Sequence, residues 1–595
     1  MERFFLKNLK NLKNLKSYLN TFISILSLNI IIFSGFSCKK DNSSKDFSNR
    51  KVTQTNILEK QKKQFVKGVY KVTDGVYAAV GFGLANSILV LGPTGKIIID
   101  VMGDMKRARE VKKEFDKISS LPLKAIIYTH NHSDHIFGGE AFMEGKAVPV
   151  YAHKKTKQAI DKIISKLELS IRVRSYRMFG NYLNKEHLGH AGIGPFLEIN
   201  DDSQLGLLYP THTFEKKLEL NIAGLDIELT YAPGETDDQI FIYIPSKKAL
   251  FPGDNYYHSF PNLYTIRGTA YRDVRHWSNS LDLMIKKNPH FLIPSHTMPL
   301  KGAKLIRENL SHYRDAIRFV HDQTIRGINK GLTPNELVEF VKLPKNLKSK
   351  PYLAEVYGKV EWAVRSIFSG HLGWFNGHSK SLYSIPKANR SHYFQELLGG
   401  KGKLLKAAGK AYDKKRYLFS LELVDLFLNI EPQNKDAKRL KRENLIKLSE
   451  KETNINARHY FLTRAQEMGL GDLPYGRPKL SQKMVDSLDL KLVFDIFSVN
   501  FAYEKAKGLK KRVGFEFVDP NQSFTLLVEN SVAKSSGGLV GNLDIHMKCS
   551  SRLFKDFIVK RTSILKLLAV CSFPKGNSIQ MARFLSLFQP SEFKN

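Results

Sequence analysis

Cysteine is almost missing from this chain. The three present, Cys38, Cys549 and Cys571, are too few and too scattered for a disulfide framework or a thiolate metal site. Acidic residues are also scarce, 57 against 93 Lys and Arg, which leaves a formal net charge of +36. Such a surface suits anionic lipid, small anions or nucleic acid. No zinc-finger, RNP-type or P-loop signature accompanies it, and the lysines are spread along the chain. The charge therefore reads as solvated surface, and no nucleic-acid partner is expected. What is present is globular material, 42% hydrophobic and 11% aromatic, so most of the chain should fold. Its 595 residues exceed one core, and about three or four folding units are expected.

Residues 1–38 start basic, with Arg3, Lys7, Lys10, Lys13 and Lys16, and continue with an apolar run from Phe22 to Phe33. They end Ser34-Gly35-Phe36-Ser37-Cys38. A basic start, an apolar run and small residues form a secretory signal. The segment resembles a bacterial lipoprotein signal, whose cysteine becomes the lipidated first residue, although Gly35 and Phe36 depart from that pattern. An ordinary cleaved signal and an uncleaved anchor are the alternatives. All three readings export the rest of the chain, either to a bacterial periplasm or to a membrane through Cys38. Residues 39–64 read as a polar linker.

From 65 to 330 the pattern is mixed. Strands are expected at Gly75–Val80, Asn86–Leu91 and Lys96–Asp100, a charged helix at Lys106–Lys117, and a buried strand at Lys124–Tyr128. That last strand runs into Thr129-His130-Asn131-His132-Ser133-Asp134-His135, with Gly138-Gly139 just beyond. Three imidazoles and a carboxylate thus converge where a rigid element ends, as a divalent-metal site requires. Strands, one helix and then a strand ending in ligands suggest a layered α/β sandwich.

The His-x-His-x-Asp-His run resembles the signature of the metallo-β-lactamase fold, an αββα sandwich, and Asp100 stands where that superfamily places an acidic residue. The resemblance carries further ligands over. Pro233-Gly234-Glu235-Thr236 replaces a Pro-Gly-His-Thr turn and offers Glu235. Ala249-Leu250-Phe251-Pro252-Gly253-Asp254 offers Asp254 as the bridging carboxylate, and Phe291-Leu292-Ile293-Pro294-Ser295-His296 offers His296. It implies two metals: one on His130, His132 and Glu235, one on Asp134, His135 and His296, with Asp254 between them. Asp134 and Asp254 are the expected catalytic carboxylates. Imidazole and carboxylate without thiolate suit two Zn2+ best, with Mn and Fe as alternatives. His153, His187, His190, His212, His276 and His290 receive no role.

Glutamate in the first ligand turn, Asn262-Leu263-Tyr264-Thr265-Ile266-Arg267-Gly268, Arg272-Asp273-Val274 and Trp277 together resemble the alkyl sulfatases of that superfamily. The resemblance implies hydrolysis of aliphatic sulfate esters, with Asn262 and Arg267 on the sulfate of a small amphiphilic anion. Tyr176 is the expected counterpart of a sulfate-binding tyrosine. Arginine suits that task, since its planar fork matches a tetrahedral oxyanion. The family has Ala-Glu-Asn where this chain has Gly253-Asp254-Asn255. That departure keeps two alternatives open: another hydrolase of the same fold (esterase, lactonase or phosphodiesterase), and a non-catalytic lipid-binding lipoprotein.

Residues 331–470 read as all-helical, opened by Thr333-Pro334 as cap and first turn. Gly373-Trp374-Phe375-Asn376-Gly377, Glu396-Leu397-Leu398-Gly399-Gly400 and Tyr412-Asp413-Lys414-Lys415-Arg416-Tyr417 resemble the alkyl-sulfatase dimerisation domain, which implies a homodimer. Residues 480–595 alternate strands with a helix near Ser551–Lys560. They are similar to the α+β sterol-carrier-like (SCP2-like) domain that ends the family's chains.

Overall fold

The computed structural model describes residues 55–588 except 144–146, 164–166, 471, 472 and 474. The expected signal segment, Cys38 included, lies outside them. Among the described residues no helix is long and apolar enough to cross a membrane.

The first sheet runs β1 (Gly68–Thr73), β2 (Val76–Val80), β3 (Ser87–Gly92), β4 (Gly95–Ile99), β5 (Leu123–Ile127) and β6 (Val150–His153). β7 (Gln204–Leu205) pairs elsewhere, and β8 (His212–Phe214) closes the sheet's far edge beside β6. The second sheet contains β9 (Lys217–Ile222), β10 (Leu225–Tyr231), β11 (Ile240–Ile244), β12 (Ala249–Phe251), β13 (Phe291–Leu292) and β14 (Leu300–Lys301), in the order β14-β13-β12-β11-β10-β9.

Ile97 and Ile99 face the core between the sheets, where they meet Ile227, Leu229, Ile240 and Ile242. Ile98 points the other way, onto Ala108, Val111 and Phe115 of the helix Met105–Ile118. Both faces of β4 are therefore dry, which is why its sequence shows an unbroken apolar run instead of alternation. The outer face of the second sheet is covered by the helices Val274–Lys286 and Ala303–Ile328, through Trp277, Leu281, Leu310 and Tyr313. Helix, sheet, sheet, helix is the expected sandwich.

β4 and β5 run parallel, as do β12 and β13, and two antiparallel steps through β11 set β10 parallel to β12. Within each sheet these strands end on one edge. The residues just past those ends, Asp100, His130, Glu235, Asp254 and His296, are thereby gathered.

Helices follow. Thr333 and Glu336 form a full capping box on Pro334–Phe340. The pair Lys401–Asp413 and Tyr417–Ile430 packs through Leu404, Ala408, Leu423, Val424 and Phe427. Lys435–Lys451 and Ile455–Leu470 complete the region. The segment 354–358 leaves the helices and lies along the site's own loop: Phe260 N–H donates to Ala354 O at 2.9 Å, and Gly358 N–H to Phe260 O at 3.1 Å.

β15 (Lys479–Leu480) pairs with β7. A five-stranded sheet then forms from β16 (Lys511–Val518), β17 (Asn521–Glu529), β18 (Val532–Gly537), β19 (Ile545–Cys549) and β20 (Ser572–Lys575), in the order β18-β17-β16-β19-β20. Its core includes Phe494, Phe515, Phe517 and Phe554. β19 begins only at Ile545. Asp544 turns aside, its carboxylate accepting from Arg512 N–H at 2.8 Å.

Candidate metal centre

The cluster sits in a shell built by Asp100. Asp100 lies just past β4 in the left-handed region (φ +57), a strained conformation held by its contacts. Its Oδ1 accepts from Thr129 N–H at 2.9 Å, and its Oδ2 from Thr129 Oγ at 2.8 Å and Ser295 Oγ at 2.7 Å. The same Oδ2 lies 2.9 Å from Nδ1 of His135. A hydroxyl has one proton to give. Thr129 gives its proton to Asp100, so it accepts from His130 Nδ1, 3.0 Å away. His296 Nδ1 donates to Leu84 O at 2.7 Å. One side-chain or carbonyl partner per ring thus holds the proton at Nδ1 and turns Nε2 of all three histidines inward, as metal-ligating imidazoles are held.

Those inward atoms converge. Asp254 Oδ2 lies 3.6 Å from His130 Nε2, 3.5 Å from His135 Nε2 and 3.2 Å from His296 Nε2. Asp134 Oδ2 is 3.4 Å from His135 Nε2 and 3.5 Å from His296 Nε2. Two sets of donors, His130/His132/Asp254 and Asp134/His135/His296, each lie with their ligand atoms within 4.8 Å of one another. His130 Nε2, His135 Nε2 and Asp254 Oδ1 are buried without a hydrogen-bond partner. Buried lone pairs with no donor facing them are what a bound cation would satisfy, so the residues fit a metal pair. Gly253 makes the approach of Asp254 feasible: it is left-handed (φ +59), and a Cβ there would lie 2.0 Å from Gln239 Nε2 and 2.9 Å from Thr129 Cβ.

The protonation pattern agrees. Burial, with the neighbouring His135, holds His130 down at about 3. Burial opposes ionisation of Asp134, but His135 and His296 outweigh it and hold the carboxyl at about 2. Burial also opposes ionisation of Asp254, where His296, His135 and His130 prevail and keep it well below the carboxylate range. Protons on His135 and His296 are favoured in return by Asp134 and Asp254 against the cost of burial. The cluster is thus a buried anionic site that draws cationic charge inward.

Six of the seven expected ligands fall in the two sets; Glu235 stands beside them. Its carboxylate pairs with Arg272 Nη1 at 2.9 Å and accepts from Tyr257 OH at 3.1 Å. Tyr257 OH in turn accepts from Asn262 N–H at 2.7 Å, and Arg272 Nη1 donates to Asn262 O. The ligand turn and the Asn262 loop are therefore braced by the same two side chains. Arg267 donates to His132 Nε2 at 3.1 Å and to Thr265 Oγ at 3.3 Å. His132 and Arg267 are only half-buried where the other cluster members are buried, so the site opens on their side. Asn262 is fully buried with both side-chain amide atoms unpartnered.

Tyr176 is placed elsewhere, in an aromatic group with Tyr182 and Tyr475 and near Asp201 and Arg172. The tyrosines set against the cluster are Tyr257 and Tyr357, the latter buried beside Glu235 and Arg267. Tyr357 belongs to the segment 354–358, and nothing in its sequence surroundings marks it. Glu198, buried and accepting from Leu84 N–H at 2.9 Å and Gly103 N–H at 2.8 Å, was equally unmarked.

Three family descriptions match the chain: Metallo-beta-lactamase superfamily over 80–296, Alkyl sulfatase dimerisation over 333–471 and Alkyl sulfatase C-terminal over 478–594. A linear primary-alkylsulfatase of a Pseudomonas strain is 33% identical over 523 residues, covering 84% of this chain and 98% of that protein. An alkyl/aryl-sulfatase of Saccharomyces cerevisiae is 26% identical, over 88% of this chain and 82% of that one. The solved structure of a stereoselective inverting sec-alkylsulfatase from Pseudomonas superimposes with a TM-score of 0.84 at 23% identity, over 93% of this chain and 89% of that one, a likeness of fold.

Proposed function

This chain belongs to the alkyl sulfatases of the metallo-beta-lactamase superfamily, and we propose that it hydrolyses alkyl sulfate esters at the buried His/Asp cluster. The observation that carries the head-group assignment is Arg267. A guanidinium stands at the open side of the cluster, against His132, and the same loop carries the buried, unpartnered amide of Asn262.

His130, His132 and Asp254 would hold one divalent cation and Asp134, His135 and His296 the other, zinc being the ion this donor set suits best. Such ions supply Lewis acidity and acidify bound water. Arg267 binds the sulfate oxygens by charge-assisted hydrogen bonds and takes up the charge that grows as the ester breaks. Asn262 offers an amide already stripped of water to the same group. Asp100 and the carbonyl of Leu84 keep the imidazoles oriented throughout. Arg272 and Tyr257 hold Glu235, so that the turn before β11 and the Asn262 loop move together or not at all.

The test is a panel of dodecyl and shorter alkyl sulfates, with a phosphodiester, a lactone and a thioester beside them, on protein assayed for bound metal by mass spectrometry. Turnover of the sulfates alone, lost in Arg267→Ala, is expected. Turnover only of the other esters, or Arg267→Ala slowing all substrates equally, refutes the head-group assignment. Oxygen-18 water reports whether the C–O or the S–O bond breaks. The dimerisation region supports a homodimer, and the basic-then-apolar start supports export, with Cys38 as the lipidated residue. The mass of the mature N-terminus tests the latter.

A further inference from the structure

The two cysteines of the C-terminal sheet face each other across a strand pair. β19 and β20 are antiparallel with Lys548 opposite Ser572. One step along the same register sets Cys549, the last residue of β19, opposite Cys571, which is extended (φ −76, ψ 147) where the helix Ile564–Val570 ends. Ser572 Oγ donates to Lys548 O at 3.4 Å, which ties the strands together at this point. Directly opposed residues of an antiparallel ladder have Cα atoms about 4.5–5.5 Å apart, inside the roughly 4.4–6.8 Å that a disulfide spans. Both side chains are buried against the core of Phe554 and Leu567.

We propose that Cys549 and Cys571 form a disulfide in an oxidising compartment, by exchange with a disulfide-bearing oxidant such as oxidised glutathione or a thiol oxidoreductase. Cys571 stands immediately before β20, the edge strand of the sheet. The neighbouring Cys549 lowers the Cys571 thiol while its own is raised, so Cys571 is the better source of thiolate. Its sulfur attacks one sulfur of the oxidant, and the oxidant's other sulfur leaves as a thiolate. The sulfur of Cys549 then attacks Cys571 Sγ in the mixed disulfide and expels the second. Two protein thiols are oxidised, the oxidant's disulfide is reduced to two thiols, and the two protons end on them. The bond closes a loop holding the helices Ser551–Ile558 and Ile564–Val570 and fastens the edge strand to the sheet's interior. The cross-link thus constrains the unfolded C-terminal chain.

The test uses the full chain, equilibrated with oxidised glutathione and then alkylated with iodoacetamide in denaturant without reductant. Peptide mapping should show Cys549 linked to Cys571, with neither alkylated. Reduction should lower the melting temperature by several degrees, a shift absent from Cys549→Ser, which cannot close the bond. Alkylation of both sulfurs, or glutathione resting on either as a mixed disulfide in the wild-type chain, overturns the pairing.

Discussion

Asn262→Leu should make this protein more stable and less active at once. Asn262 is 0% exposed, and neither its Nδ2 nor its Oδ1 has a partner. Each buried polar group left unsatisfied costs about 1–3 kcal/mol. Leucine has nearly the same volume, so the exchange removes that cost without opening a cavity. A gain of about 2 kcal/mol is expected, or about 4–8 °C in the melting temperature of a domain of this size. If the amide is held bare for a sulfate oxygen, its loss removes a hydrogen bond to a charged group, worth about 1.5–3 kcal/mol. That is about a ten- to hundredfold drop in kcat/KM for alkyl sulfates. Asn255 is the control. It is equally buried, but its Nδ2 donates to Ala232 O at 2.8 Å, so Asn255→Leu strands a carbonyl and should lower the melting temperature. Scanning calorimetry with steady-state kinetics on dodecyl sulfate reads both effects. Unchanged activity in Asn262→Leu would take the amide out of the substrate's path. A lowered melting temperature would show the amide to be structural, and the reasoning fails.

Arg272→Met leaves Glu235 buried without its cation. With the pair at 2.9 Å and the side chains 3% and 2% exposed, the loss should be about 3–5 kcal/mol, read by denaturant unfolding, with Arg272→Lys intermediate. His190 Nε2 donates to Leu58 O at 2.9 Å and its Nδ1 accepts from Gly192 N–H at 2.9 Å, so the neutral ring is fully used. Burial holds it at about 4, below the ordinary 6.5, so its contribution is complete above pH 6.5 and lost as the pH falls towards 4. About 3 kcal/mol is at stake, and His190→Gln should flatten melting temperature against pH in that window. Trp374, Tyr383 and Leu397 are 75%, 88% and 79% exposed on the region that matches the dimerisation description. Trp374→Asp with Leu397→Asp should yield a monomer by light scattering, and an unchanged mass would place the interface elsewhere.

What could be read from the sequence is what local chemistry writes into adjacent residues. The run from Lys96 to Ile99 announces a strand dry on both faces, and His130 to His135 announces donors at a strand's end. Asp254 and His296 could be found because each follows a short apolar strand, and the ends of β5 in one sheet and of β12 and β13 in the other bring them to the cluster. Tyr176 could not be placed from the sequence, because a lone tyrosine carries no signal of which wall it faces. Tyr357 escaped for the converse reason: it enters with a segment of the helical region that hydrogen-bonds to Phe260, a pairing across nearly a hundred residues. Glu235 could be placed in its turn, but its partners could not, since Arg272 and Tyr257 reach it only through the folded Asn262 loop. The Cys549–Cys571 pair was invisible for the same reason, because its closeness is a matter of strand register.

The departure at Gly253-Asp254 looks like weakness when each residue is taken alone, and the fold argues otherwise. The family's Ala-Glu puts a methyl on the first residue and a longer arm on the second. Here the backbone at Gly253 is so close to its neighbours that a Cβ would fall 2.9 Å from Thr129 Cβ and 2.0 Å from Gln239 Nε2. Removing the methyl lets the main chain sit nearer the strand that carries His130, and aspartate is shorter than glutamate by one carbon–carbon bond, about 1.5 Å. A close backbone suits a short arm. Asp254 Oδ2 lies within 3.6 Å of His130 Nε2 and within 3.2 Å of His296 Nε2, touching both donor sets. Asp254 thus reaches both donor sets from a backbone position that a side chain on residue 253 would obstruct.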